Sequence, residues 1–177
     1  MAFDLGNILQ QYLGGASAPP AQAEAHFDQA AQAAPADVLT SGLAAMFRSG
    51  QTPPFGQMAG QLFGRADPNQ QAGMLNSMLG GMGPSVLASL AAQGGTLGGL
   101  LSQLTGGGGG TPSVTPAQAS QLSPDQVQVI ASHAEQANPG IVDRMSEFYA
   151  QHPTLVKTVG GAALSIALSK MAERTGS

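Results

Sequence analysis

Three histidines, His26, His133 and His152, are the only imidazoles in a chain of 177 residues that has no cysteine. Any metal or acid–base chemistry would have to be assembled around them, and they stand far apart. A carboxylate-bridged two-metal site in a helical bundle uses Glu-x-x-His pairs, because that spacing puts both side chains on one helix face. Here Glu24 precedes His26 by two residues, which turns the pair onto different faces. His26 and Asp28 could serve a serine in a triad, since triads are recognised by geometry and not by order. No Gly-x-Ser-x-Gly elbow exists to present that serine, however. The glycine-rich stretches lack the Gly-Lys-Ser/Thr ending of a P-loop, and Gly94, Gly95, Gly98 and Gly99 fall at helix breaks instead of behind a strand. Without a thiol, cysteine nucleophiles and thiolate zinc sites are excluded. The expectation is a chain with no catalytic residue, no metal site and no cofactor.

The carboxylates point the same way. Asp37, Asp67 and Asp125 stand where acids in a first turn complement a helix dipole. Asp143 and Glu147, four apart and flanking Arg144, make a solvated face with a salt bridge. Met74, Met78 and Met82 recur every four residues beside Leu75 and Leu79. Such a row suits a soft copper(I) site, a pliable apolar contact surface or a packed core. Core is the usual outcome, and no nearby histidine or cysteine favours metal. Gly161, Ser165 and Ser169 give the last apolar segment a small face that lets another backbone approach closely.

These residues are carried on helices. A polar residue followed by proline recurs at Thr115-Pro116, Ser123-Pro124, Asn138-Pro139 and His152-Pro153. A side-chain oxygen before the helix accepts an orphan N–H of the first turn, and proline at the first position gives up a donor with no partner anyway. Thr115-Pro116-Ala117-Gln118 and Ser123-Pro124-Asp125-Gln126 fit the capping box, with Asp67-Pro68-Asn69-Gln70 as its aspartate relative. Apolar spacing then predicts helices over 3–13, 21–34, 37–48, 55–63, 68–79, 84–92 and 97–104, and after the caps at Ser123 and Asn138, with the last over about 154–172. Nothing alternates as a strand would. Gly106 to Gly110 form an unbroken glycine run that reads as a connector.

The segment Leu122-Ser123-Pro124-Asp125-Gln126-Val127, the short capped helices after it and the Gly- and Leu-rich stretch before the glycine run together resemble the YidB-like small bacterial helical proteins. The resemblance covers about the C-terminal third with part of the preceding segment, and it implies a helical fold without bringing an active site.

Composition bounds the partners. The chain holds 6 Lys and Arg against 10 Asp and Glu, a net charge of −4 and a charged fraction of 9%, against roughly 25% in ordinary soluble domains. There is no basic stripe to neutralise phosphates, so nucleic acid is not an expected partner. The N-terminal residues lack the basic start of an export signal, and residues 155–168 are interrupted by Lys157, Thr158, Ser165 and Gly160-Gly161. A cytoplasmic setting is the expectation. The sequence therefore reads as all-α: an array of short helices over 1–104, a flexible linker over 105–114 and a C-terminal helical bundle over 115–177. Its function reads as non-enzymatic interaction or self-assembly, through Met74, Met78, Leu79, Leu155, Val159, Gly161, Ser165 and Ile166. A homo-oligomer is the expected assembly, with another protein as a second partner class. Peripheral membrane association through the last helix is the alternative, and a small enzyme without a recognisable motif the third.

Overall fold

The computed structural model describes residues 5–13, 19–106 and 113–175, and every regular element among them is helical. In chain order these are α1 (Leu5–Gln10), α2 (Pro20–Ala33), α3 (Ala36–Arg48), α4 (Phe55–Arg65), α5 (Pro68–Gly81), α6 (Pro84–Ala91), α7 (Gly95–Gly106), α8 (Pro116–Ala119), α9 (Pro124–Ala137), α10 (Ile141–Ala150), α11 (Pro153–Val156) and α12 (Gly161–Thr175), with a 3-10 turn at Lys157–Val159 before the last. All three polar-proline-x-glutamine signals close as reciprocal boxes. Asp67, Thr115 and Ser123 each accept the backbone N–H three residues on, and Gln70, Gln118 and Gln126 each accept the cap N–H in return. At Asn138 the device works differently. Its side-chain oxygen accepts the Gly140 N–H while its amide donates to the Gly81 carbonyl, so one residue starts the turn into α10 and closes the end of α5.

The chain divides into two compact units, one built from residues 1–54 and 149–177, the other from 55–148. In the first, α12 packs on α3, α2 and α1. Leu39, Leu43, Met46 and Phe47 of α3 and Leu164, Leu168 and Met171 of α12 are all buried there. Gly42 makes the close crossing: a Cβ at that position would stand 2.9 Å from the Ala167 carbonyl oxygen. Tyr149 is fully buried against Phe47, ring centroids 5.3 Å apart.

In the second unit the main seam joins α4 to α9. Gly56, Gly60 and Gly64, four apart, meet Ser132, Gln128 and Pro124, also four apart. Rows of four-residue spacing on both helices interdigitate as ridges in grooves, the geometry that goes with a crossing of about −50°. Side chains on either row of α4 would hold the helices apart, and glycine removes them. Phe55, Met58, Leu62, Val127, Ile130 and Ala134 fill the interior of the unit. The α6–α7 hairpin turns on Gly94 and Gly95, whose φ values of 76° and 73° lie in the left-handed region that glycine alone enters without cost.

Two expectations from the sequence differ from this architecture. The last helix is not continuous over 154–172: α11 stops at Val156, and Gly160 at φ 103° re-aims the chain before α12 begins. The division into 1–104, a linker and 115–177 does not follow the compact units either, because α9 pairs with α4 and α12 with α3. The physical reason is the glycine notches on α4 and α3, which receive helices from the far end of the sequence. Of the expected connector over 105–114, Thr105 and Gly106 end α7, residues 107–112 lie outside the described residues, and Val114 is fixed to α5. Its backbone N–H donates to Asn76 Oδ1 at 2.6 Å and its carbonyl accepts from Asn76 Nδ2 at 3.2 Å.

Candidate functional site

The residues first considered for chemistry are separated by the fold and engaged elsewhere. His26 Nδ1 lies 2.8 Å from the hydroxyl of Tyr12, with the two rings edge to face. Asp28, two residues on, pairs instead with Lys157 Nζ at 2.8 Å. Among the described residues no serine shares either contact, and His26 and Asp28 are directed to different partners. His133 meets the side chain of Gln93 at 3.3 Å on an exposed surface. Among the described residues no three His, Asp or Glu side chains gather within reach of one ion. Two phenols are perturbed: burial pushes the hydroxyl of Tyr149 far above the usual phenol range and raises that of Tyr12 as well. In both the cause is loss of water around the ionised form.

The eight contact residues named from sequence divide sharply. Met74, Met78 and Leu79 on α5 are buried in the chain's own interior, at 0%, 0% and 2% exposure, so the methionine row is core and not a free surface. Met82, which completes that row, is buried too. Leu155, Gly161 and Ser165 are likewise buried. The Ser165 hydroxyl donates back to the Gly161 carbonyl at 2.9 Å, which satisfies it inside a tight helix crossing without a partner from outside. Val159 and Ile166 remain half-buried.

Those last two residues mark what the fold leaves on the outside of this region. Along α12 the positions not taken into the core are Ala162, Ile166, Ser169, Lys170 and Glu173, with the chain end beyond them. From Ala162 to Ser169 this row is uncharged and spaced by four and three, with Ile166 its one large side chain, and it ends at the Lys170–Glu173 ion pair, 2.9 Å long. Val159 precedes it in the 3-10 turn. A narrow row of this kind can do one thing chemically, which is to let another surface approach closely at small desolvation cost. The small positions Gly161 and Ser165 are packed inside, as a small face suited to close helix approach would be, whereas Ala162 is exposed and Val159 and Ile166 are only half-buried.

Three features escaped the sequence reading. The glycine row of α4 was legible in Phe55-Gly56-Gln57-Met58-Ala59-Gly60-Gln61-Leu62-Phe63-Gly64, where glycine returns every four residues inside a helix that would otherwise gain from alanine. The Tyr12–His26 contact and the Asn76–Val114 clamp join residues 14 and 38 apart, and neither has a local signature. No helix among the described residues is long and apolar enough to cross a membrane. No family model, curated protein or solved structure matches the chain.

Proposed function

We propose that the chain is a non-enzymatic helical protein that works by self-association, with the outward row of α12 as its contact face. The observation that carries this reading is the partial exposure of Ile166 within the uncharged stretch Ala162 to Ser169, beside half-buried Val159. A charged fraction of 9% leaves little repulsion between copies, and the small Ala162 and Ser169 on either side of Ile166 permit close approach. A cytoplasmic setting, and kinship with the YidB-like helical proteins, fit this reading and add no chemistry to it.

Light scattering on the intact chain and on Ile166→Glu tests it. The intact chain should exceed monomer mass at concentrations on the order of tens of micromolar, and the glutamate variant should revert to monomer by burying an unpaired charge in the contact. A monomeric intact chain sinks the reading, and a variant that assembles unchanged moves the contact elsewhere. Lipid association is the second reading, because the same row is the apolar surface the last helix leaves outside and Lys170 flanks it. Pelleting with anionic vesicles that is lost in Ile166→Glu would replace self-association with it.

A further inference from the structure

We propose that residues 5–13 are an exchangeable strap: the groove on α2 and α12 that holds this segment accepts the same segment of a second copy of the chain. The proposal rests on the self-association reading and adds a second link between copies that the outward row of α12 brings together. Helix α1 is six residues long, too short to hold its own turns in water. What keeps it in place is its seat on α12 and α2. Leu9 and Tyr12 are its two buried side chains, at 1% and 0% exposure, and the Tyr12 hydroxyl meets His26 Nδ1 at 2.8 Å. Few anchors against nine ordered residues place the strap at the low end of local opening energies.

The occupant of an emptied groove is fixed by the contact itself. A pocket that receives leucine and tyrosine three apart, with an imidazole nitrogen waiting for the hydroxyl, receives them equally well from an identical chain. Exchange of an identical element between protomers keeps every such contact and adds only a new one where the copies touch. Leu13, at the end of the strap and 46% exposed, supplies apolar surface for that new contact.

Because the Tyr12–His26 contact is present both before and after exchange, removing it should change how fast copies exchange and not how many are exchanged. A face-to-face contact without exchange would show the reverse pattern or none. The chain has no cysteine, so single thiols can be placed at Gln11 and Ala25, each exposed and each beside one member of the pair. Copies carrying Gln11→Cys and isotopically labelled copies carrying Ala25→Cys are equilibrated together at high concentration and bridged with a short bismaleimide. The mixed, inter-copy product is expected to exceed the two like-with-like products combined, which random pairing would only equal. A mixed product no more abundant than the like pairs together overturns the proposal. In the same assay Tyr12→Phe should speed the appearance of mixed product about fivefold, the rate equivalent of one neutral hydrogen bond, with the final yield unchanged. A lowered final yield with unchanged rate also overturns it. Light scattering on the unmodified chain separates the two readings: assembly without mixed bridging refutes the strap and leaves self-association standing, whereas a monomer removes both.

Discussion

Replacing Gly60 by alanine sets two known effects against each other at one atom. In a helix interior alanine is favoured over glycine by about 1 kcal/mol, and on α4 considered alone the change should stabilise. Against α9, the new Cβ would stand 2.6 Å from the Pro124 carbonyl oxygen and 3.3 Å from Gln128 Cβ. Ordinary carbon–oxygen contacts run at about 3.3–3.6 Å, so the helices must part by something under ~1 Å. A gap of that order forfeits roughly a quarter to a half of the dispersion attraction along the seam, and forcing an extra carbon into a packed crossing costs about 1–3 kcal/mol. Relief is limited because the blocking atom belongs to backbone and cannot rotate away. The expected net effect is a loss of about 1–2 kcal/mol. Gly99→Ala is the control: it is the same chemical change inside α7, where an added Cβ meets nothing within 4 Å, and it should stabilise by about 0.5–1 kcal/mol. Urea unfolding followed by far-ultraviolet circular dichroism measures both, the chain having no tryptophan to report otherwise. If the two variants shift the midpoint in the same direction, α4 and α9 are not in close contact and the argument from the glycine row fails.

Other perturbations test neighbouring links. Ser123→Ala removes the acceptor for the Gln126 N–H and should cost about 1 kcal/mol in the same urea titration, with Gln126→Ala adding less than its own single effect because the two act as one box. Asn76→Asp keeps the acceptor for the Val114 N–H but turns an oxygen toward the Val114 carbonyl; it should destabilise by about 1–3 kcal/mol at neutral pH and by less in acid, where the carboxyl regains a donor, and a pH-independent effect would refute the clamp. A chain of residues 55–148 alone should melt cooperatively, whereas residues 1–54 alone should not fold without 149–177; calorimetry on the two fragments decides, and a cooperative transition from 1–54 would contradict the division.

Local structure was legible because its causes are local. Thr115, Ser123 and Asp67 announce helix starts through side chains that reach three residues, and the observed starts at Pro116, Pro124 and Pro68 follow. The apolar spacing over 37–48 gave α3 to within one residue. The last segment was misread for a physical reason: apolar spacing runs on through Gly160, and only its left-handed backbone, which no spacing rule records, breaks the helix there. Tertiary pairing was less legible still. A connector of glycines suggested two halves, but what selects partners is the complementarity of rows, Gly56, Gly60 and Gly64 with Ser132, Gln128 and Pro124, and one row carries no mark of the other. On the last helix, periodicity marked the apolar and small positions and could not say which side the packing would claim; Gly161 and Ser165 went inside while Ile166 stayed half-buried.

The first unit is made from the two ends of the sequence, and this sets an order of events during synthesis. Helices α2 and α3, which carry the buried Phe27, Leu43 and Phe47, leave the ribosome long before α12, which packs on both in the finished protein, has been made. The intervening residues 55–148 form a compact unit of their own and can reach it in that interval. The early helices cannot, and for the time needed to add about a hundred residues, several seconds at ordinary elongation rates, they present an apolar face to whatever else is nearby. Slowing elongation between 55 and 148 should therefore increase aggregation of the nascent chain, and a circularly rearranged gene that places 149–177 directly before 1–54 should reduce it.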